Sequence, residues 1–121
     1  MSASVLPTLK QLTLQMRQLG EHLPPYAGVL DPDNIAYVRD TSAALIGVLD
    51  DLSVKSGNPL GDRDVRHDLR NQVAVVKGFA DLMMMDITPA HVVAPALKQL
   101  GVLADQFVAQ LDSVKQESGG A

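Results

Sequence analysis

Residues 66–72, Arg-His-Asp-Leu-Arg-Asn-Gln, place a histidine among groups that could serve it chemically. A neutral imidazole nitrogen is a usable nucleophile near pH 7. A carboxylate beside it, here Asp68, can hold the proton of the other ring nitrogen and so act as base or orienting group for His67. Moving a phosphoryl group asks mainly for in-line positioning and charge stabilisation. Arg70 either steadies phosphoryl oxygens or merely solvates its helix. The bland alternative is common: most exposed histidines do nothing, and Arg or Lys beside an apolar seam is often just a wet face.

Helical geometry separates the two cases. At about 100° per residue, with Val65 at zero, Leu69, Val73, Val76, Ala80 and Met83 fall between about 0° and 80°. His67 falls near about 200°, with Asn71, Ala74, Gly78 and Met85 between about 180° and 240°. Arg63, Arg66, Arg70 and Lys77 flank that strip at about 100° to 160°. His67 is therefore expected on an exposed face, above small side chains that admit a close partner. The cationic band beside it could draw an acidic surface or a phosphoryl group. Met85 is the exposed methionine kept as a partner contact, whereas Met83 and Met84 read as core and rim packing.

Four helical segments must carry these residues. The first spans about 4–22, with a seam of Leu9, Leu12, Met16, Leu19 and Leu23, ended by Gly20 and Pro24-Pro25. The second opens at Asp31-Pro32, an N-cap followed by a first-turn proline, and repeats the spacing through Ile35, Val38, Ser42, Leu45, Leu49 and Leu52. Ser42 fits such a seam if its hydroxyl bonds back to the preceding turn. The third runs from Asp62 or Asp64 to about Asp86. Ile87 and Thr88 alone are expected to separate it from a fourth helix capped at Thr88-Pro89, which makes the two antiparallel neighbours. The fourth seam is Val93, Leu97, Leu100, Ala104, Phe107, Leu111 and Val114. Pro95 either kinks this helix or marks its proper start. No segment alternates with a strand period.

Composition agrees with an all-α fold. Of 121 residues 46% are hydrophobic but only 3% aromatic, so the core is aliphatic, a mix that suits packed helices. With no cysteine, disulfides and thiolate metal sites are excluded. Ten basic against fourteen acidic residues give a net charge of -4, which disfavours nucleic acid. No apolar run approaches the roughly 20 residues of a membrane span, and no signal peptide is visible, so a cytoplasmic protein is expected. His22 and His91 lack acids at helical spacing and read as surface residues near helix ends. No metal site is expected.

His67-Asp68-Leu69-Arg70-Asn71, followed by Ala74, Gly78, Phe79, Ala80 and Leu82, resembles the H-box of sensor histidine kinases, which opens their dimerisation and histidine-phosphotransfer (DHp) domain. Gln72 stands where that motif usually has proline. The specific match covers about twenty residues, and the hairpin from Asp62 to Lys115 agrees with it in length. The resemblance implies His67 as phospho-acceptor and Asn71 as the residue that orients a water. Gln72 either joins them or is a plain surface residue. Arg63, Arg66, Ala74, Lys77, Gly78 and Met85 are the partner-facing set. It also implies a response-regulator receiver domain as partner, with Mg²⁺ supplied by that receiver and no cofactor held tightly here. Without the kinase ATP-binding domain in this sequence, the resemblance implies a module that exchanges its phosphoryl group with either a separate histidine kinase or a receiver domain.

The expectation is an antiparallel hairpin (59–117) that forms a four-helix bundle on homodimerisation, two further N-terminal helices (1–58), and a flexible tail (118–121). Three alternatives stand beside it. One is a dimerising or docking module whose His67 is never phosphorylated. Another is a monomeric four-helix phosphotransfer domain using all four seams, whose usual motif places lysine and glycine after the histidine. The last is a purely structural bundle, which leaves the Arg66-to-Asn71 cluster unexplained.

Overall fold

The computed structural model describes residues 2–119, with side chains described for 5–114. Among these residues there are four α-helices and no strand: α1 (Ser2–Glu21), α2 (Pro32–Ser53), α3 (Arg63–Met85) and α4 (Ala94–Gly119), with short 3-10 turns at Pro24–Tyr26 and Pro59–Gly61. Aspartates start the middle two. Asp31 and Asp62 each accept a hydrogen bond from the backbone N–H two residues on, at 2.8 Å, satisfying a donor that the first turn leaves free. Gly57, with φ at +82°, lets the chain reverse between α2 and α3. Residues 120 and 121 of the expected tail lie outside the described residues, and α4 continues through Gly119.

Each helix packs against its two neighbours in ring order, α1 on α2, α2 on α3, α3 on α4 and α4 back on α1. The pairs run antiparallel. Arg70 meets Asp112 while Lys77 meets Asp105, and Lys10 meets Asp50 while Gly20 abuts Arg39. One buried cluster draws on all four helices, from Leu9 and Met16 through Leu45, Leu49, Val73 and Val76 to Leu100 and Phe107. The bundle thus closes within a single chain. Sequence reasoning had built its four helices from two copies of the hairpin. The difference arises because the seams of α1 and α2 are as apolar as those of α3 and α4, and the loops are short enough to bring them together.

Two details differ from the expected seams. Leu12 and Leu19 are only half-buried, whereas Thr13 is fully buried and donates its hydroxyl to Leu9 O at 2.8 Å. Helix α1 is rolled toward α2 so that the Cα hydrogen side of Gly20 lies against Arg39; a Cβ there would sit 3.3 Å from the Arg39 Cα. Ser42 is buried and bonds back to Val38 O at 2.7 Å, as its place in the seam required. The second difference is the link between α3 and α4. It spans 86–93, and α4 begins at Ala94, not at Thr88-Pro89. Pro95 explains this: it has no N–H, and inside a helix its ring would clash with the carbonyl four residues back, so it is accommodated in the first turn.

A core shared by all four helices should unfold as one unit. Leu9→Ala in α1 and Leu97→Ala in α4, both fully or nearly fully buried, are each expected to cost about 2–5 kcal/mol. Urea unfolding followed by circular dichroism should show one transition, moved down by either substitution. Two transitions, each sensitive to only one substitution, would mark 1–58 and 59–117 as separately folding units.

Candidate functional site

The seam of α3 sets the direction of everything else on that helix. Leu69, Val73, Val76, Ala80 and Met83 are buried, so His67, Asn71, Ala74, Gly78 and Met85 are turned outward, and all five are exposed. A Cβ added at Gly78 would meet nothing within 4 Å. The fold itself therefore does not require glycine there. His67 lies in the second turn of α3 with its side chain 69% exposed.

The His67 ring has two unlike nitrogens. Nδ1 faces the helix: Asn71 Nδ2 is 3.4 Å away and Asp68 Oδ1 is 3.9 Å away. The second distance is an electrostatic contact beyond hydrogen-bond range. Nε2 has no partner among the described residues. With the Asn71 amide donating, Nδ1 is the acceptor and the ring proton sits on Nε2. A half-turn of that amide presents Oδ1 to Nδ1–H and leaves the Nε2 lone pair free. Gln72 is half-buried on the flank toward α2, and none of its side-chain atoms makes a hydrogen bond to the site.

The cationic band is largely spoken for. Arg66 donates from Nη1 to the carbonyls of Leu60 and Gly61 at 2.9 and 3.0 Å, pinning the start of α3 to the preceding turn. Arg70 forms an ion pair with Asp112. Lys77 pairs with Asp105 at 2.6 Å, and the hydrogen bond and charge of Asp105 raise its pKa above the usual 10.5. The contribution of that pair is fully present below 10.5 and lost as the pH climbs through the raised value. Arg63, one turn before His67, is the member of the band without a partner among the described residues. The band thus clamps α3 to α4 more than it waits for an incoming anion. Sequence reasoning missed this because Asp105 and Asp112 lie on another helix, and only the register of α3 on α4 brings them opposite.

Two further features were not foreseen. Tyr37 of α2 stacks on Phe79 of α3, with centroids 4.7 Å apart and planes at 20°. Val75 and Leu82 are exposed beside them. His22 and His91 do lie near helix ends, and both have structural partners. The Nδ1 of His22 donates to Gln18 O at 2.6 Å. His91 accepts from Val93 N–H at 3.1 Å and packs edge-on against Tyr26. Among the described residues no three His, Asp or Glu side chains are grouped to hold a metal ion, and no helix is long and apolar enough to cross a membrane.

The Arg70–Asp112 clamp can be weighed directly. Both side chains are 45% exposed, so a double-mutant cycle of Arg70→Gln and Asp112→Asn is expected to give a coupling of about 0.2–1 kcal/mol, shrinking in high salt. A coupling of zero at low salt would leave Arg70 free to serve His67.

Comparison of the chain with protein-family models, with curated proteins and with solved structures finds no match.

Proposed function

We propose that the chain is a histidine-phosphotransfer module, exchanging a phosphoryl group between His67 and an aspartate of a receiver domain. The observation that carries this reading is the His67 ring itself: outward on α3, with Nδ1 held toward Asp68 and Asn71 and Nε2 open to solvent. A purely structural bundle needs none of these three polar residues, since its seams lie on the opposite side of the helix.

The chemistry proceeds from the tautomer with the proton on Nδ1. The Nε2 lone pair attacks the phosphorus of the receiver's aspartyl phosphate, in line with the P–O bond to the carboxylate. That bond breaks and its electron pair leaves on the carboxylate. The ring becomes an N-phosphorylated imidazolium whose positive charge lies beside Asp68, until the Nδ1 proton passes to solvent. Asn71, in its accepting orientation, holds the same proton in place. Mg²⁺ on the receiver neutralises the phosphoryl oxygens, so this chain needs no metal of its own. Arg63 is the side chain placed to add positive charge without first breaking an ion pair. A cytoplasmic location and a separate histidine kinase as donor go with this reading.

The transfer unit in this reading is one chain. A bundle closed within one chain is compatible with a monomeric phosphotransfer domain, and the residues around His67 resemble the H-box apart from Gln72. A dimeric hairpin would require the seams of α3 and α4 to leave α1 and α2 for a second copy.

The test is label transfer from a panel of phosphorylated receiver domains and active histidine kinases. Wild type is expected to take an acid-labile label and His67→Ala to take none. Asn71→Asp, which fixes an acceptor next to Nδ1, should retain transfer. Asn71→Leu should slow it about tenfold, equivalent to about 1.4 kcal/mol. No label from any competent donor, with the protein folded, would favour a docking module in which His67 is never phosphorylated.

A further inference from the structure

Four exposed large apolar side chains lie where α2 and α3 meet. Tyr37 is 53% exposed, Val75 40%, Leu82 49% and Met85 80%. Singly exposed apolar residues need no explanation, but a contiguous set does. At about 100° per residue, Val75, Leu82 and Met85 follow one another along the outer side of α3, and Tyr37 reaches them through its stack on Phe79. Gly78, whose missing Cβ leaves open space, lies between them.

The charges around this surface are mainly acidic, with Asp40 paired to Arg39 at 3.4 Å. On the outer side of α3 toward α2 stand Asp64, Asp68 and Asp86, and on the facing side of α2 stand Asp33, Asp40 and Asp51, by the same angular count of about 100° per residue. All six are exposed. Of the α3 cations, Arg70 and Lys77 are turned to the other flank and held by Asp112 and Asp105 of α4, and Arg63 is left exposed near the start of the helix. The two ion pairs therefore sort α3 into a neutralised edge and an acidic, apolar face.

We infer that the α2–α3 face docks an amphipathic helix of a partner protein that carries an apolar ridge flanked by lysine or arginine. The apolar ridge fills the strip from Tyr37 to Met85, and its cations meet the aspartates. A second copy of this chain does not fit, because two such faces would bring like charges together. The inference deepens the phosphotransfer reading, since it gives the chemistry of the partner that approaches His67. It is tested without any phosphoryl transfer.

The probes are two synthetic helices of about 18 residues, or five turns, sharing a leucine ridge and flanked by lysine in one and glutamate in the other. They are titrated into the full chain and followed by two-dimensional NMR. The lysine peptide is expected to shift the resonances of Tyr37, Val75, Leu82 and Met85, and to weaken at least about tenfold between about 50 and 500 mM salt. The glutamate peptide should leave them unmoved. Val75→Ser with Leu82→Gln, both at exposed positions, should weaken the lysine peptide at least about fivefold at unchanged helicity. Binding of the lysine peptide by a chain that takes no label from any competent donor supports this inference while removing the phosphotransfer reading. Four results would overturn it: no binding, shifts centred on Leu14 and Val102 across α1 and α4, equal affinity for the double variant, or shifts at Val75 and Leu82 from self-association alone.

Discussion

The burial of one stripe of α3 against both α2 and α4 is the constraint on which the site depends. A helix flanked on two sides cannot roll, because rotation by even one residue would expose Val73 or Val76 and bury a charge. Both valines are almost wholly enclosed. With the roll settled, His67 has nowhere to point but outward. The ion pairs from Arg70 and Lys77 to α4 lock the same rotation from the polar side. Exposed pairs contribute little stability each, and their larger effect here is positional. They remove two cations from the neighbourhood of the histidine and leave its open flank acidic.

The core reaches this with few aromatic residues. Phe107 is its one fully buried ring among the described residues, and the rest is leucine, valine, isoleucine, methionine and alanine. Aliphatic seams at alternating steps of three and four interdigitate readily between antiparallel helices. The two polar residues in the core cost little, since Thr13 and Ser42 each bond back to a carbonyl four residues earlier.

Much of this was legible from residue spacing. The seams of α2 and α3 were readable because a 3.6-residue period leaves a clear trace in helices with a polar outer face. The exposure of His67, Asn71, Ala74, Gly78 and Met85 followed from the same count. The roll of α1 was not readable: Thr13 and Gly20 are poor hydrophobic signals, and only the close approach to Arg39 makes them contact residues. The start of α4 was readable only as two alternatives, the Thr88-Pro89 cap, sound in isolation, or Pro95, and the structure takes the second, beginning at Ala94. The fates of Arg70 and Lys77 depend on inter-helix register, which no single helix encodes. The closing of four seams within one chain was one of the arrangements the spacing allowed, beside the dimeric hairpin that the H-box resemblance implies.

The account turns on one atom, the Nε2 of His67, and the chain offers its own controls in His22 and His91. Both of these use Nδ1 in hydrogen bonds to the backbone. The most direct measurement is to locate the phosphoryl group after reaction with a phosphorylated receiver, using ³¹P and ¹⁵N NMR under alkaline conditions. Phosphate on Nε2 of His67, with His22 and His91 unmodified, is the expected result. Phosphate on Nδ1, or spread over the three histidines, would contradict the assignment of His67 and its neighbours as a built transfer site.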